Sequence, residues 1–178
     1  MPDPAMRLET PRLILDLHTA ADLEPMLEMW SDPGTVTFVG GKPSNRQDTW
    51  MRLLRYRGLW DVLGYGYWVV RDRATGRFAG ELGFADFHRA TTPAFEGTPE
   101  AGWVLAPWAR GRGLAREALT AALAWLDAAG HPHSVCIIDP ANTASLRLAA
   151  GLGYAEPTEI RHGEDPVTLY TRRRARPA

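Results

Sequence analysis

One stretch of the chain concentrates the residue types that hold anions. Pro107-Trp108-Ala109-Arg110-Gly111-Arg112-Gly113 leads straight into Leu114-Ala115-Arg116-Glu117-Ala118. Gly111 and Gly113 carry no Cβ, so ligand oxygens can come close to the main chain. The Ala/Leu-rich run that follows reads as a helix, whose first amides and dipole present positive charge to the loop. Arg110, Arg112 and Arg116 add full charges around the same point. The guest that suits this chemistry is a phosphate or pyrophosphate. Residue identity rules out two common phosphate loops. No Gly-Lys-Ser/Thr closes the stretch, as a P-loop requires. Arg116 stands where the dinucleotide fingerprint needs a third Gly or Ala, and the loop comes late in the chain. The plain alternative is a positively charged helix start that binds nothing specific.

The remaining pattern, Arg110-x-x-Gly113-x-Ala115, resembles the acetyl-CoA pyrophosphate loop of the GNAT acetyltransferase superfamily. That loop reads Gln/Arg-x-x-Gly-x-Gly/Ala. Three further blocks stand in the family's order. They are Leu8-Glu9-Thr10-Pro11-Arg12-Leu13-Ile14-Leu15, Glu100-Ala101-Gly102-Trp103-Val104-Leu105-Ala106-Pro107, and Asn142-Thr143-Ala144-Ser145 followed by Leu152-Gly153-Tyr154. Together they resemble the branch that includes the ribosomal-protein N-terminal acetyltransferases. One departure is Ala149-Ala150-Gly151, where that branch usually carries charged residues. The resemblance implies an α/β (α+β) GNAT fold: a mixed, mostly antiparallel twisted sheet flanked by helices. Its fourth and fifth strands, here 100–105 and 134–138, splay apart to admit the cofactor.

The same resemblance implies roles for particular residues. Main chain at Val104 and Leu105 would bond the pantetheine arm of acetyl-CoA. Arg110, Gly111, Arg112, Gly113, Leu114, Ala115 and Arg116 would hold its pyrophosphate, and Asn142 and Ser145 would also contact coenzyme A. An alkyl amine has a pKa of about 10.4, so a base must free its lone pair at neutral pH. Glu100 is the first candidate base and Glu81, in Gly80-Glu81-Leu82-Gly83, the second. Each also reads as an ordinary ion-pair partner. The leaving thiolate, with a pKa of about 8.5, gains modestly from a proton donor. Ser145 and Tyr154 are rival donors. Asn142 has a second reading as a helix N-cap.

Composition bounds the rest. The chain has 178 residues, 45% hydrophobic and 23% charged, which suits one domain over 1–178. A net charge of -1 gives the whole molecule no bias towards nucleic acid or membrane. A single cysteine, Cys136, and no signal peptide or long apolar run lead to the expectation of a cytoplasmic protein. The five histidines lack ligand spacing, so no metal is expected. Residues 1–6 read as a loose leader and 172–178 as a basic, solvated tail.

The elements follow from periodicity and stop signals. Strands are expected at 12–17, 67–71, 78–87, 100–105 and 134–138, from 155, and at 167–171. Helices are expected at 20–30, 45–60, 114–129 and 142–150, and a loop at 90–98. The second helix would bury Trp50, Leu53, Leu54 and Arg57. The third would bury Ala115, Ala118, Ala122, Trp125 and Ala129. Asp32-Pro33-Gly34 would stop the first helix. Trp30, Trp50, Trp60 and Trp68 read as core aromatics, or as the lining of a pocket for an apolar amine. The leading function is acetyl-CoA-dependent N-acetylation of a primary amine, either a protein N-terminus or a small molecule. Family members are often homodimers. The other readings are an acyl-CoA sensor without turnover and an RNA-associated module using the arginine tail.

Overall fold

The computed structural model describes residues 6–163 and 165–174. Most of the leader and the end of the tail lie outside the described residues. The chain forms a mixed nine-stranded sheet with flanking helices. It divides into two compact units: Met1–Gly83 with Trp103–Ala122, and Phe84–Gly102 with Leu123–Ala178.

The first unit begins with β1 (Leu8–Glu9), β2 (Leu13–Asp16), β3 (Tyr67–Asp72) and β4 (Phe78–Ala85), each antiparallel to the next. Tyr67, Trp68, Val69 and Val70 are all buried, so β3 reads as a continuous apolar run rather than an alternating one. The end of β6 (Glu100–Leu105) lies against β4, and just beyond it the Ala106 amide donates to the Ala79 carbonyl at 2.9 Å. Gly80 makes this approach possible. A Cβ there would stand 2.3 Å from the Val104 carbonyl oxygen and 2.8 Å from Leu105 Cα, and its φ is 146°.

Three helices cover this unit. α1 (Leu23–Ser31) buries Met26, Met29 and Trp30. Asp32 does break the chain, but Pro33 then opens a short α2 (Pro33–Val36), where proline suits a first helical position. α3 (Arg46–Leu63) starts on the Asn45 cap, which accepts from the Asp48 amide, and stops at Gly64 in the left-handed region. Its buried face is Thr49, Leu53, Tyr56 and Trp60. Trp50 and Leu54, expected inside, are exposed, and Arg57 is only half-buried. Apolar residues ring this helix on all sides, so spacing could not select the face. Tyr56 stacks on Tyr67 at 4.2 Å and Trp60 meets Trp68 edge-on at 4.7 Å, and these contacts orient it.

α4 (Leu114–Ala128) runs from the first unit into the second. It buries Leu114, Ala118, Leu119 and Ala122, then Leu123 and Leu126. Ala115 and Trp125 are half-buried and Ala129 is exposed, because the leucines rather than the alanines set the stripe.

In the second unit the start of β6 pairs in parallel with β7 (His133–Ile137), with Glu100 opposite Val135. β7 pairs antiparallel with β9 (Asp165–Arg173), β9 with β8 (Ala155–His162), and β8 with β5 (Thr91–Thr92), a short strand inside the expected loop. α5 (Thr143–Gly151) completes the unit. The arginines read as a tail begin inside β9. Arg172 makes a two-point pair with Asp127 at 2.8 and 2.7 Å, and Arg173 reaches Glu156 at 3.1 Å. Arg172 therefore serves the fold rather than a solvated tail, while the Arg173–Glu156 pair lies exposed at the surface.

Two expected outcomes test these constraints. Gly80→Ala destabilises the protein by about 3 kcal/mol in urea titration, because backbone atoms of β6 block the new Cβ. The second concerns Glu117 in the first turn of α4. It accepts from Thr10 Oγ1 at 2.6 Å, the Arg12 amide at 2.9 Å and Arg12 Nε at 2.6 Å. Burial pushes its pKa up, but these hydrogen bonds and the Arg12 charge outweigh it and hold the pKa below the ordinary value. A depressed carboxylate stabilises the fold above its unfolded pKa and loses that contribution as pH falls through the folded value. Glu117→Gln costs about 2 kcal/mol near neutral pH. The loss shrinks on acidification, read from urea midpoints across the acid range.

Candidate active site

The loop predicted to hold phosphate follows β6 through a single 3-10 turn, Pro107–Ala109. Gly111 and Gly113 both adopt positive φ, 71° and 75°, where an L side chain is strained. Gly111, Arg112 and Gly113 are exposed, while Leu114 is buried and pins the start of α4. The first amides of that helix have no carbonyl one turn back to bond, which leaves them to an anion. Val104 and Leu105 are half-buried at the end of β6, and Ala115 is half-buried as the second residue of α4.

The three loop arginines differ in what they do. Arg110 is tied down: its Nε donates to the Leu105 carbonyl at 3.0 Å and its Nη2 to Thr35 Oγ1 at 2.5 Å. Asp32 lies 3.8 Å from the same nitrogen. The Thr35 hydroxyl hydrogen bond, with help from the Arg110 charge, lowers the pKa of Asp32. Arg112 stands over Trp108 at 5.5 Å, and its carbonyl accepts from Arg12 Nη1 at 3.0 Å. Arg116 is exposed, and its carbonyl accepts from Thr120.

Glu81 sits on β4 in the first unit and is 1% exposed. Both its oxygens are occupied, one by Trp30 Nε1 at 2.5 Å and the other by His18 Nε2 at 2.8 Å. Burial and then the Glu81 charge push the nearby Tyr56 phenol up to about 12. Arg52 closes the group by lying 3.6 Å from the centre of the Trp30 ring. Both oxygens of the buried carboxylate are thus paired, the usual condition for burying one, while His18 Nδ1 and Arg52 Nε in the same cluster have no hydrogen-bond partner among the described residues.

The remaining candidates belong to the second unit. Glu100 is 6% exposed. Arg89 grips it at two points, Nε to Oε2 at 2.7 Å and Nη2 to Oε1 at 3.0 Å. Asn142 caps α5, its Oδ1 accepting the Ser145 amide at 3.1 Å. Ser145 is half-buried in the first turn. Tyr154 is buried, and its hydroxyl bonds Ser134 Oγ at 2.8 Å. Burial raises its pKa, so the phenol stays neutral. Cys136 is buried too, and burial, then the Glu100 charge, raises its thiol pKa.

The sequence reading named the two carboxylates but not their partners Arg89, His18 and Trp30, nor the Asp32–Thr35 anchor of Arg110. Composition carries no signal for such pairings. Among the described residues, no group of three or more His, Cys, Asp or Glu could hold a metal ion. No helix among them is long and apolar enough to cross a membrane.

Comparison with known proteins bears on this arrangement. The family model described as "Acetyltransferase (GNAT) domain" matches residues 12–155. YkkB of Bacillus subtilis (strain 168), itself uncharacterized, is 28% identical over 149 residues, 82% of each chain. A Bordetella pertussis structure assigned to the GnaT acetyltransferase family is 32% identical with a TM-score of 0.81, covering 93% of this chain and 98% of that one. The fold is also that of yncA from Salmonella typhimurium, solved with its cofactor acetyl-CoA, at 22% identity and TM-score 0.69, covering 93% and 96%. With a family model matched over most of its length and a glycine-rich loop opening α4, the chain belongs to the GNAT acetyltransferase family.

Proposed function

We propose that this protein transfers an acetyl group from acetyl-CoA to a primary amine by direct attack of the amine on the thioester. The observation that carries the reading is the Gly111/Gly113 loop: two positive-φ glycines, exposed, opening directly into the N-terminus of α4. A Cβ at Gly111 would meet nothing within 4 Å, so the main chain there is open to a bulky anion. The residues fit a pyrophosphate by shape and by charge. Val104 and Leu105 would hold the pantetheine arm through main-chain groups, leaving the thioester to be polarised by backbone donors. The Leu105 carbonyl already accepts one hydrogen bond, from Arg110 Nε.

For proton removal we favour Glu100 over Glu81. Glu81 is sealed beneath Trp30 and His18, whereas Glu100 begins β6, the strand that leads to the loop. Arg89 orients Glu100 through two hydrogen bonds, and the remaining carboxylate lone pairs can accept through a water. For protonating the leaving thiolate we favour Ser145 over Tyr154, whose hydroxyl is committed to Ser134 in the core. The acceptor is an amine on a protein N-terminus or on a small molecule, and the setting is the cytoplasm.

One observation favours a second reading, an acyl-CoA sensor without turnover. Arg89 occupies both oxygens of Glu100, so an amine proton arriving there must compete with two existing hydrogen bonds.

Calorimetric titration with acetyl-CoA tests the loop. The wild-type protein binds, and Gly113→Glu weakens binding by about a hundredfold or more, because it combines positive-φ strain with a misplaced charge. No binding by the wild type would overturn both readings. Thiol release against a panel of peptide N-termini and small amines then separates them. In an enzyme, Glu100→Gln lowers kcat by about a hundredfold with acetyl-CoA binding intact, and Ser145→Ala lowers it by less. No turnover with any amine would favour the sensor.

A further inference from the structure

Arg110 stands immediately before Gly111, and its guanidinium bridges the end of β6 and the opening of α2. Nη2 reaches Thr35 Oγ1, which in turn donates to Asp32 Oδ2 at 2.8 Å. Nε holds the Leu105 carbonyl. A guanidinium has five N–H donors, so two such bonds leave Nη1 and one Nη2 hydrogen to spend. The side chain therefore has an edge fixed on α2 and the end of β6, and a remainder able to meet an anion on the loop it introduces.

The segment at the other end of this tether is closed on itself by its own hydrogen bonds. Thr35 and Val36 are buried, but Phe38 and Val39 are 43% and 39% exposed. Gly40 and Gly41 follow with positive φ. The segment is closed by the Val39 and Gly41 amides on the Val36 carbonyl, and the Ser44 amide reaches the Trp30 carbonyl. Arg110 is its link to the loop. From this arrangement we infer that Arg110 is a positioning residue, coupling occupancy of the glycine-rich loop by a phosphate group to the placement of residues 33–44. The coupling rests on the acetyl-CoA reading above. It makes one arginine serve two surfaces, with cofactor binding setting the segment that carries the exposed Phe38 and Val39. The bridge depends on the planar fork, which a lysine ammonium does not reproduce.

Hydrogen–deuterium exchange with and without coenzyme A tests it. In the wild type, coenzyme A protects amides in 110–118 and also in 33–44. Thr35→Val keeps the shape of Thr35 and leaves Arg110 in place. It retains protection at 110–118 and loses it at 33–44, and Arg110→Lys likewise fails to restore the second. With an acceptor in hand, Thr35→Val raises the acceptor KM about tenfold, the scale of one charge-assisted hydrogen bond, with coenzyme A affinity changed by less than about twofold. Protection confined to 110–118 in the wild type would overturn the coupling alone. Unchanged protection of 33–44 in Thr35→Val would do the same. No protection anywhere would overturn the acetyl-CoA reading and the coupling with it.

Discussion

The close approach of β4 to the end of β6 is the constraint on which the first unit depends. Gly80 has backbone of Val104 and Leu105 where a Cβ would be. Because the strands can close to that distance, β6 ends against Ala79 and delivers the chain into the turn at Pro107. The orientation of the glycine loop follows from that delivery, and the register of α4 from the burial of Leu114 one residue beyond it. Glu117 and Arg12 then lock the first turn of the helix to the segment before β2.

Buried charge is handled in the same way throughout. Glu81 is hydrogen-bonded by Trp30 and His18, Glu100 is paired with the Arg89 fork, and Asp22 with Arg71 together with the Thr19 amide and hydroxyl. A carboxylate left unpaired in such surroundings would cost several kcal/mol. The consequence for the chemistry is economy of candidates. The sequence ranked Glu100 ahead of Glu81, and their surroundings differ in kind. Glu81 lies between the Trp30 indole and the His18 imidazole within an apolar layer, and Glu100 is held at the head of β6 by an arginine that is itself partly exposed.

Local signals carried most of the architecture. β6 falls where expected because its bounds are set by a proline before it and Ala106-Pro107 after it. α5 begins where Asn142 can cap it. The two-residue strands β1 and β5 were invisible, being too short to show a period. The buried face of α3 was misjudged because Trp50, Met51, Leu54 and Val62 are as apolar as the residues it buries. The loop itself was legible from glycine and arginine alone. Its partners were not: Arg110 and Thr35 are 75 positions apart, and Glu81 and His18 are 63 apart. Pairings of that range depend on the tertiary fold, and no spacing rule reaches them.

The only cysteine of the chain lies on β7, sealed from solvent, its thiol kept protonated by burial and by the neighbouring Glu100 charge. A thiol in that state is a poor nucleophile. That burial argues against relay of an acyl group through Cys136. The same silence is of practical use. A cysteine introduced at any exposed position would be the one reactive thiol in the native protein, so a single fluorophore could be attached without removing Cys136.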